Sequence, residues 1–212
     1  MKTILFQGDS ITDSGRSREH YYSVGTGYSV LVRGKLALSH PGEYKVLNKG
    51  ISGDRIVDLY ARIKADILNL KPDILSILIG VNGVGHEFAY QNGVDAEKFY
   101  TIYDMLLTEV KEALPDVKII LLEPFVLCGP GTDRPWDTFF AEVQKRAEKV
   151  RILAEKHGLP FIPLQEKFTE GAEKQSPAYW IWDGLHPTNA GHELLAEEWL
   201  KVFETMIEKG EV

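Results

Sequence analysis

The chain has 212 residues, 44% of them apolar and 26% charged, and a formal net charge of −7. Those proportions belong to a packed globular protein and exclude a disordered or collagen-like chain. The acidic balance argues against a polyanion as partner, because phosphate binding draws on clustered Lys and Arg, so no nucleic acid is expected.

The first apolar run, Ile4 to Phe6, predicts a strand, and Tyr44 to Leu47 predicts a second. Ile56, Leu59, Tyr60, Ile63, Ile67 and Leu70 then recur every three or four residues, the period of one helix over 56–70. Ile74 to Ile79 reads as a third strand, followed by a helical stripe of Phe99, Tyr103, Leu106, Leu107 and Val110. Val117 to Leu122 gives the fourth strand. Phe140, Val143, Ala147, Val150 and Ala154 give a helix that stops at Gly158 and Pro160. Phe161 to Leu164 is the fifth strand, and Gln165 to Ile181 has no clear period. A last helix is capped by Thr188 and carries Leu195, Trp199, Val202, Phe203 and Met206 on its apolar face, with a polar tail from Glu208 to Glu211 expected to fray.

Each strand is continuously apolar, as parallel strands covered on both faces are. Helices between them, with right-handed crossovers, predict an α/β fold: a three-layer αβα sandwich with a five-stranded parallel sheet of flavodoxin-like type. No repeat or linker divides the chain, so one domain over 1–212 is expected. Cys128 is alone and permits no internal disulfide, which suits a reducing compartment. The N-terminal apolar run is too short for a signal peptide, and no stretch of eighteen apolar residues occurs. The expected location is cytoplasmic, without membrane contact.

Ligands of such sheets bind where strands end, which directs attention to the residues after each run. Gly8-Asp9-Ser10 follows the first strand, where a serine hydroxyl can project into the crevice. Ser10 and Asp13 equally fit a Ser-x-x-acid helix cap. Asp183 stands three residues before His186, a spacing that can bring a carboxylate to one imidazole nitrogen and leave the other for a hydroxyl. The same pair also fits a plain helix-entry turn. Asn48-Lys49-Gly50-Ile51-Ser52-Gly53 and Gly80-Val81-Asn82 follow the second and third strands. The Ser10 and Gly53 backbone N–H groups and the Asn82 amide can together serve an oxyanion, or these residues can simply shape turns.

The combination resembles the SGNH (GDSL) hydrolases, whose blocks occur here in family order as Gly8-Asp9-Ser10, Gly53, Gly80-x-Asn82 and Asp183-x-x-His186. The resemblance spans nearly the whole chain. It implies Ser10 as nucleophile, His186 as general base, Asp183 as its orienter, and Ser10, Gly53 and Asn82 as oxyanion donors, with no cofactor. Where the family usually has Asp after the block-three Asn, this chain has Gly83, which bears on the rigidity of Asn82. Ile11 replaces the Leu of the family's name. The stretches around these blocks are most similar to small intracellular carbohydrate esterases, acetylxylan esterases included, which implies an acetylated saccharide as small-molecule ester substrate. Tyr179, Trp180 and Trp182, just before the triad turn, are candidates for a stacking wall or for core packing. Asp9 and His86 are further candidates for substrate contact, Trp136 and Tyr21 or Tyr22 more remote ones. A homo-oligomer is left open.

His20, His40, His86, His157 and His192 are scattered without metal-ligand spacing, so no metal is expected and most read as surface residues. The Gly-x-Ser-x-Gly of α/β-hydrolases and the glycine loops of nucleotide-binding folds are absent. Two alternatives remain: a lysophospholipase or thioesterase of the same architecture, and a non-catalytic carbohydrate-binding protein.

Overall fold

Ile4 and Phe6 of the first strand point to one side and Leu5 to the other, and that alternation organises the molecule. A computed structural model describes residues 1–20, 22–132 and 135–212. Its strands are β1 (Lys2–Gly8), β2 (Tyr44–Asn48), β3 (Ile74–Leu78), β4 (Lys118–Leu122) and β5 (Phe161–Ile162). They form one parallel sheet in the order β2-β1-β3-β4-β5. The five expected runs are these five strands, with ends shifted by one or two residues: pairing extends beyond the apolar run in β1 and β2 and stops short of it in β3, β4 and β5.

Ten helices occur among the described residues: α1 (Ser10–Asp13), α2 (Tyr28–Ser39), α3 (Ile56–Ala61), α4 (Ile63–Asp66), α5 (Val81–Tyr90), α6 (Ala96–Ala113), α7 (Trp136–His157), α8 (Gln165–Lys174), α9 (Pro177–Trp180) and α10 (Asn189–Glu208). One face of the sheet buries Ile4, Phe6, Ile120 and Leu122 against Tyr28 and Leu36 of α2 and Leu195, Trp199 and Phe203 of α10. The other buries Leu5, Leu75, Ile77 and Leu121 against α3, α6 and α7. Each large apolar side chain buried in this way contributes about 1.5–3 kcal/mol. The Trp199 indole N–H donates to Ser76 Oγ at 3.0 Å, so the one hydroxyl on that face of β3 is satisfied.

Three expectations are corrected. The helix read over 56–70 is broken into α3, α4 and a 3-10 turn at Leu68–Leu70, because Arg62 leaves the periodic surface to bind the strand ends. The stretch from Gln165 to Ile181 is mostly helical; α8 buries only Gln165, Phe168 and Gly171, too few apolar residues to give a readable stripe. His192, one of five histidines of which most read as surface residues, is buried on α10. The last helix starts after Thr188, whose hydroxyl accepts the Gly191 N–H, and ends at Glu208. No helix of the described residues is long and apolar enough to cross a membrane.

In this strand order the chain winds from β1 outward to β2 and then crosses to β3 on the other side, so the crevice of the sheet lies between the C-terminal ends of β1 and β3. Ser10 follows one and Asn82 the other.

Candidate active site

β1 runs into α1 through Gly8, whose φ of +156° and close approach to the Leu78 carbonyl leave no room for a Cβ. Asp9 is the residue that caps α1, accepting the Ile11 N–H on Oδ1 at 3.0 Å. Ser10 is already inside the helix, so its hydroxyl is not spent on the cap. It stands 2.9 Å from Nε2 of His186. Asp13 turns instead to Arg18 and to the N–H and hydroxyl of Ser52, tying α1 to the loop after β2.

On the far side of the imidazole, Asp183 Oδ2 lies 2.7 Å from His186 Nδ1, while Oδ1 accepts the N–H groups of Leu185 at 2.9 Å and His186 at 2.7 Å. Burial works to raise the Asp183 pKa, but the backbone and ring donors of His186 outweigh it and hold the carboxyl below its ordinary value. A charged carboxylate on Nδ1 keeps the ring proton there and leaves the Nε2 lone pair facing Ser10. The turn is clamped from the segment after β4: Leu127 N–H donates to the Gly184 carbonyl at 3.1 Å and Gly131 N–H to that of Asp183 at 2.7 Å. Gly184 has φ +93°, and a Cβ there would meet the Leu127 carbonyl and Thr132 Oγ1.

The loop after β2 presents Gly53 at φ +87°. Among the described residues, neither its N–H nor that of Ser10 is engaged in a hydrogen bond. Asn82 lies in the first turn of α5 and donates one amide hydrogen to the Asp54 carbonyl at 3.0 Å, leaving the other available. Behind this rim sits Arg62, which the sequence reading missed. It bonds Asp54 at 2.7 Å, Gln7 Oε1 at 2.9 Å and the Lys49 carbonyl at 2.8 Å, joining the ends of β1 and β2 to the loop that carries Gly53 and Asp54. Burial raises the Asp54 pKa against the opposing pull of Arg62.

Gly83, in place of the usual Asp, is covered by residues 91–94, which fold back along α5. Val94 donates to the Gly83 carbonyl at 3.0 Å and accepts from the buried Arg146 guanidinium at 2.7 Å. Arg55 holds the same strap through the Asn92 carbonyl and side chain. The strap over the first turn of α5 is thus held by backbone and arginine contacts, together with the Glu87 carboxylate, which accepts the Gly93 N–H at 2.9 Å.

The other candidates are dispersed. Trp182 is 60% exposed and stacks on the His186 ring at 5.9 Å. Trp180 instead packs against the core, its indole over Gly171. Tyr179 is exposed, edge-on to Trp180. His86 is one turn after Asn82 on α5, against Tyr90. Asp9 is only 2% exposed and faces inward; burial, over the Ile11 N–H and the His186 charge, pushes its pKa up to about 7. Trp136 packs on Phe140 and Tyr22 on His20, while Tyr21 lies outside the described residues. No group of His, Cys, Asp or Glu among the described residues is arranged to hold a metal ion.

Residues 6–194 match the GDSL-like Lipase/Acylhydrolase family. The chain is 36% identical, over 93% of its length and 92% of the relative's, to an acetylxylan esterase from Geobacillus stearothermophilus. Among solved structures, a Parabacteroides merdae protein described as GDSL-like lipase superposes with a TM-score of 0.89 at 34% identity, each chain covered to 94%. A catalytic mutant of Axe2, an acetylxylan esterase from Geobacillus stearothermophilus, superposes at 0.85 and 33%, covering 94% of this chain and 93% of that one. With a matched model over most of its length and a strand-end site of this kind, the chain belongs to the GDSL-like lipase/acylhydrolase family and is a carboxylic ester hydrolase.

Proposed function

We propose that the chain removes acetyl groups from saccharide hydroxyls, acetylated xylo-oligosaccharides among them, through a covalent acyl-enzyme. The observation that carries this reading is the line from Ser10 Oγ to His186 Nε2 at 2.9 Å and from His186 Nδ1 to Asp183 at 2.7 Å. Ser10 Oγ bonds to the ester carbonyl carbon as its proton passes to Nε2, and Asp183 stabilises the imidazolium. The oxyanion takes hydrogen bonds from the Ser10 and Gly53 N–H groups and the Asn82 amide. His186 then gives the proton to the departing sugar oxygen, the C–O bond breaks, and water repeats the sequence to release acetate.

The substrate assignment is supported by the 36% identity to an acetylxylan esterase and by the exposed Trp182 ring beside His186, a flat surface on which a pyranose can stack. Acetate release from acetylated xylo-oligosaccharides, measured beside p-nitrophenyl esters of increasing acyl length, tests it. Preference for acetyl over long acyl groups is expected. A strong preference for long chains would instead favour the lysophospholipase or thioesterase alternative.

A further inference from the structure

His192, in the first turn of α10, makes a contact that the reaction as described does not use. It follows the triad turn by six residues and is 7% exposed. Its Nδ1 accepts the backbone N–H of Tyr28 at 3.2 Å. That N–H opens α2, whose N-cap, Gly27, offers no side-chain acceptor, and the imidazole satisfies one of the first-turn donors that the helix itself leaves unpaired.

Tyr28 in turn reaches the nucleophile helix. Its hydroxyl lies 3.0 Å from Thr12 Oγ1, two residues past Ser10, and both side chains are fully buried. The approach is close: a Cβ on Gly27 would come within 2.8 Å of both His192 Cε1 and Ser14. Ser14 ends α1 with φ +40°, a conformation that a non-glycine residue holds only when its surroundings impose it. Accepting from Tyr28 requires a neutral ring with its proton on Nε2. Burial, reinforced by the charge of His186, keeps His192 neutral by lowering its pKa to about 4.

We propose that His192 is a positioning residue for the reaction: through Tyr28 and Thr12 it joins the helix that follows His186 to the helix that carries Ser10, and so sets the approach of imidazole and hydroxyl. The triad is otherwise assembled from opposite ends of the chain. The clamp on the Asp183 turn comes from the segment after β4, where the Leu127 and Gly131 N–H groups bond the Gly184 and Asp183 carbonyls. The hydrogen-bonded bridge from α10 through Tyr28 to α1 is a mechanical link that acts on the 2.9 Å contact. The proposal rests on the reading of Ser10 and His186 as nucleophile and base.

Three variants test it: His192→Leu, which removes the acceptor; His192→Asn, whose side-chain oxygen can occupy the place of Nδ1; and Tyr28→Phe, which keeps the N–H but loses the link to Thr12. For each, kcat and KM for p-nitrophenyl acetate and the rate of Ser10 labelling by a fluorophosphonate are measured well below the unfolding midpoint. Misplacement of reacting groups by a fraction of an ångström to 1 Å should lower kcat on the order of tenfold to a hundredfold in His192→Leu and Tyr28→Phe, with KM little changed. His192→Asn should recover most of that loss. A cap that served folding alone would lower the melting temperature and leave kcat of the folded enzyme intact, which overturns the proposal, as does a His192→Asn variant no better than His192→Leu. Should His192→Leu not fold, Tyr28→Phe decides, and a wild-type kcat there overturns the proposal. If the wild-type enzyme neither turns over ester nor labels at Ser10, both readings fall together, whereas equal labelling of wild type and variants sinks only this one.

Discussion

Asp183 grips His186 twice, taking the ring nitrogen on one carboxylate oxygen and the backbone N–H on the other, each at 2.7 Å. The first contact fixes the tautomer and the second fixes the turn, so charge and geometry can be separated by mutation. In Asp183→Asn the retained oxygen still takes the N–H groups of Leu185 and His186, while an amide nitrogen opposite Nδ1 favours the wrong tautomer. The expected result is a folded protein with kcat reduced on the order of 10⁴-fold, measured on p-nitrophenyl acetate. A loss below about tenfold would mean that Asp183 serves only the turn.

Asn82 donates one amide hydrogen to the Asp54 carbonyl, and in the proposed mechanism the other meets the oxyanion. Asn82→Ala should lower kcat about a hundred- to a thousandfold while KM changes little, because the lost bond strengthens only as the oxyanion forms. Steady-state kinetics on acetyl esters check it; a rise in KM at constant kcat would assign Asn82 to ground-state binding.

Gly184 sits where a side chain has no space and at a φ that L residues avoid. Gly184→Ala is expected to destabilise the fold by roughly 1–3 kcal/mol from backbone strain and to shift the Asp183 turn. Denaturant unfolding reads the first effect and kcat the second, and activity should fall further than the loss of folded protein explains.

Asp9 provides a test by pH. Its folded pKa, about 7, lies above the ordinary carboxylate value of 3.8. The protonated form is therefore favoured by folding: the stabilisation is complete below about 3.8 and is lost as pH rises through about 7. Asp9→Asn keeps an oxygen for the Ile11 N–H and removes the titration. Its melting temperature relative to wild type should become more favourable between these two pH values and level off above them. Parallel curves for the two proteins would contradict a buried, titrating carboxyl.

The sheet was readable because parallel strands packed on both faces are apolar without interruption, and short runs such as Ile74 to Ile79 alternate along the chain with helical periods. Ser10, Asp183 and His186 stood out as a set only through the order of the family blocks, since Gly8-Asp9-Ser10 alone also fits a helix cap and Asp183-x-x-His186 alone a helix-entry turn. What escaped is carried by charged or polar residues that look like surface. Arg62 lies off the apolar stripe of 56–70 and looks like a solvent-facing charge, yet it reaches Gln7, Lys49 and Asp54. Arg146 is one basic residue among several on a long amphipathic helix, yet its guanidinium reaches the Val94 carbonyl 52 residues away. His192 differs from an exposed histidine only in the company it keeps after folding. Trp180 and Trp182, two residues apart, illustrate the same limit: the chain turns between them, and one ring enters the core while the other stacks on His186.

In the proposed mechanism Ser10 forms the bond to the acyl carbon, and intact-protein and peptide mass spectrometry after exposure to a fluorophosphonate is the decisive measurement. One adduct is expected, on the peptide containing Ser10, with none on a folded Ser10→Ala variant whose esterase activity has dropped on the order of 10⁴-fold or more. Labelling at another residue, or a Ser10→Ala variant that still hydrolyses acetyl esters at a rate near that of wild type, would contradict the account.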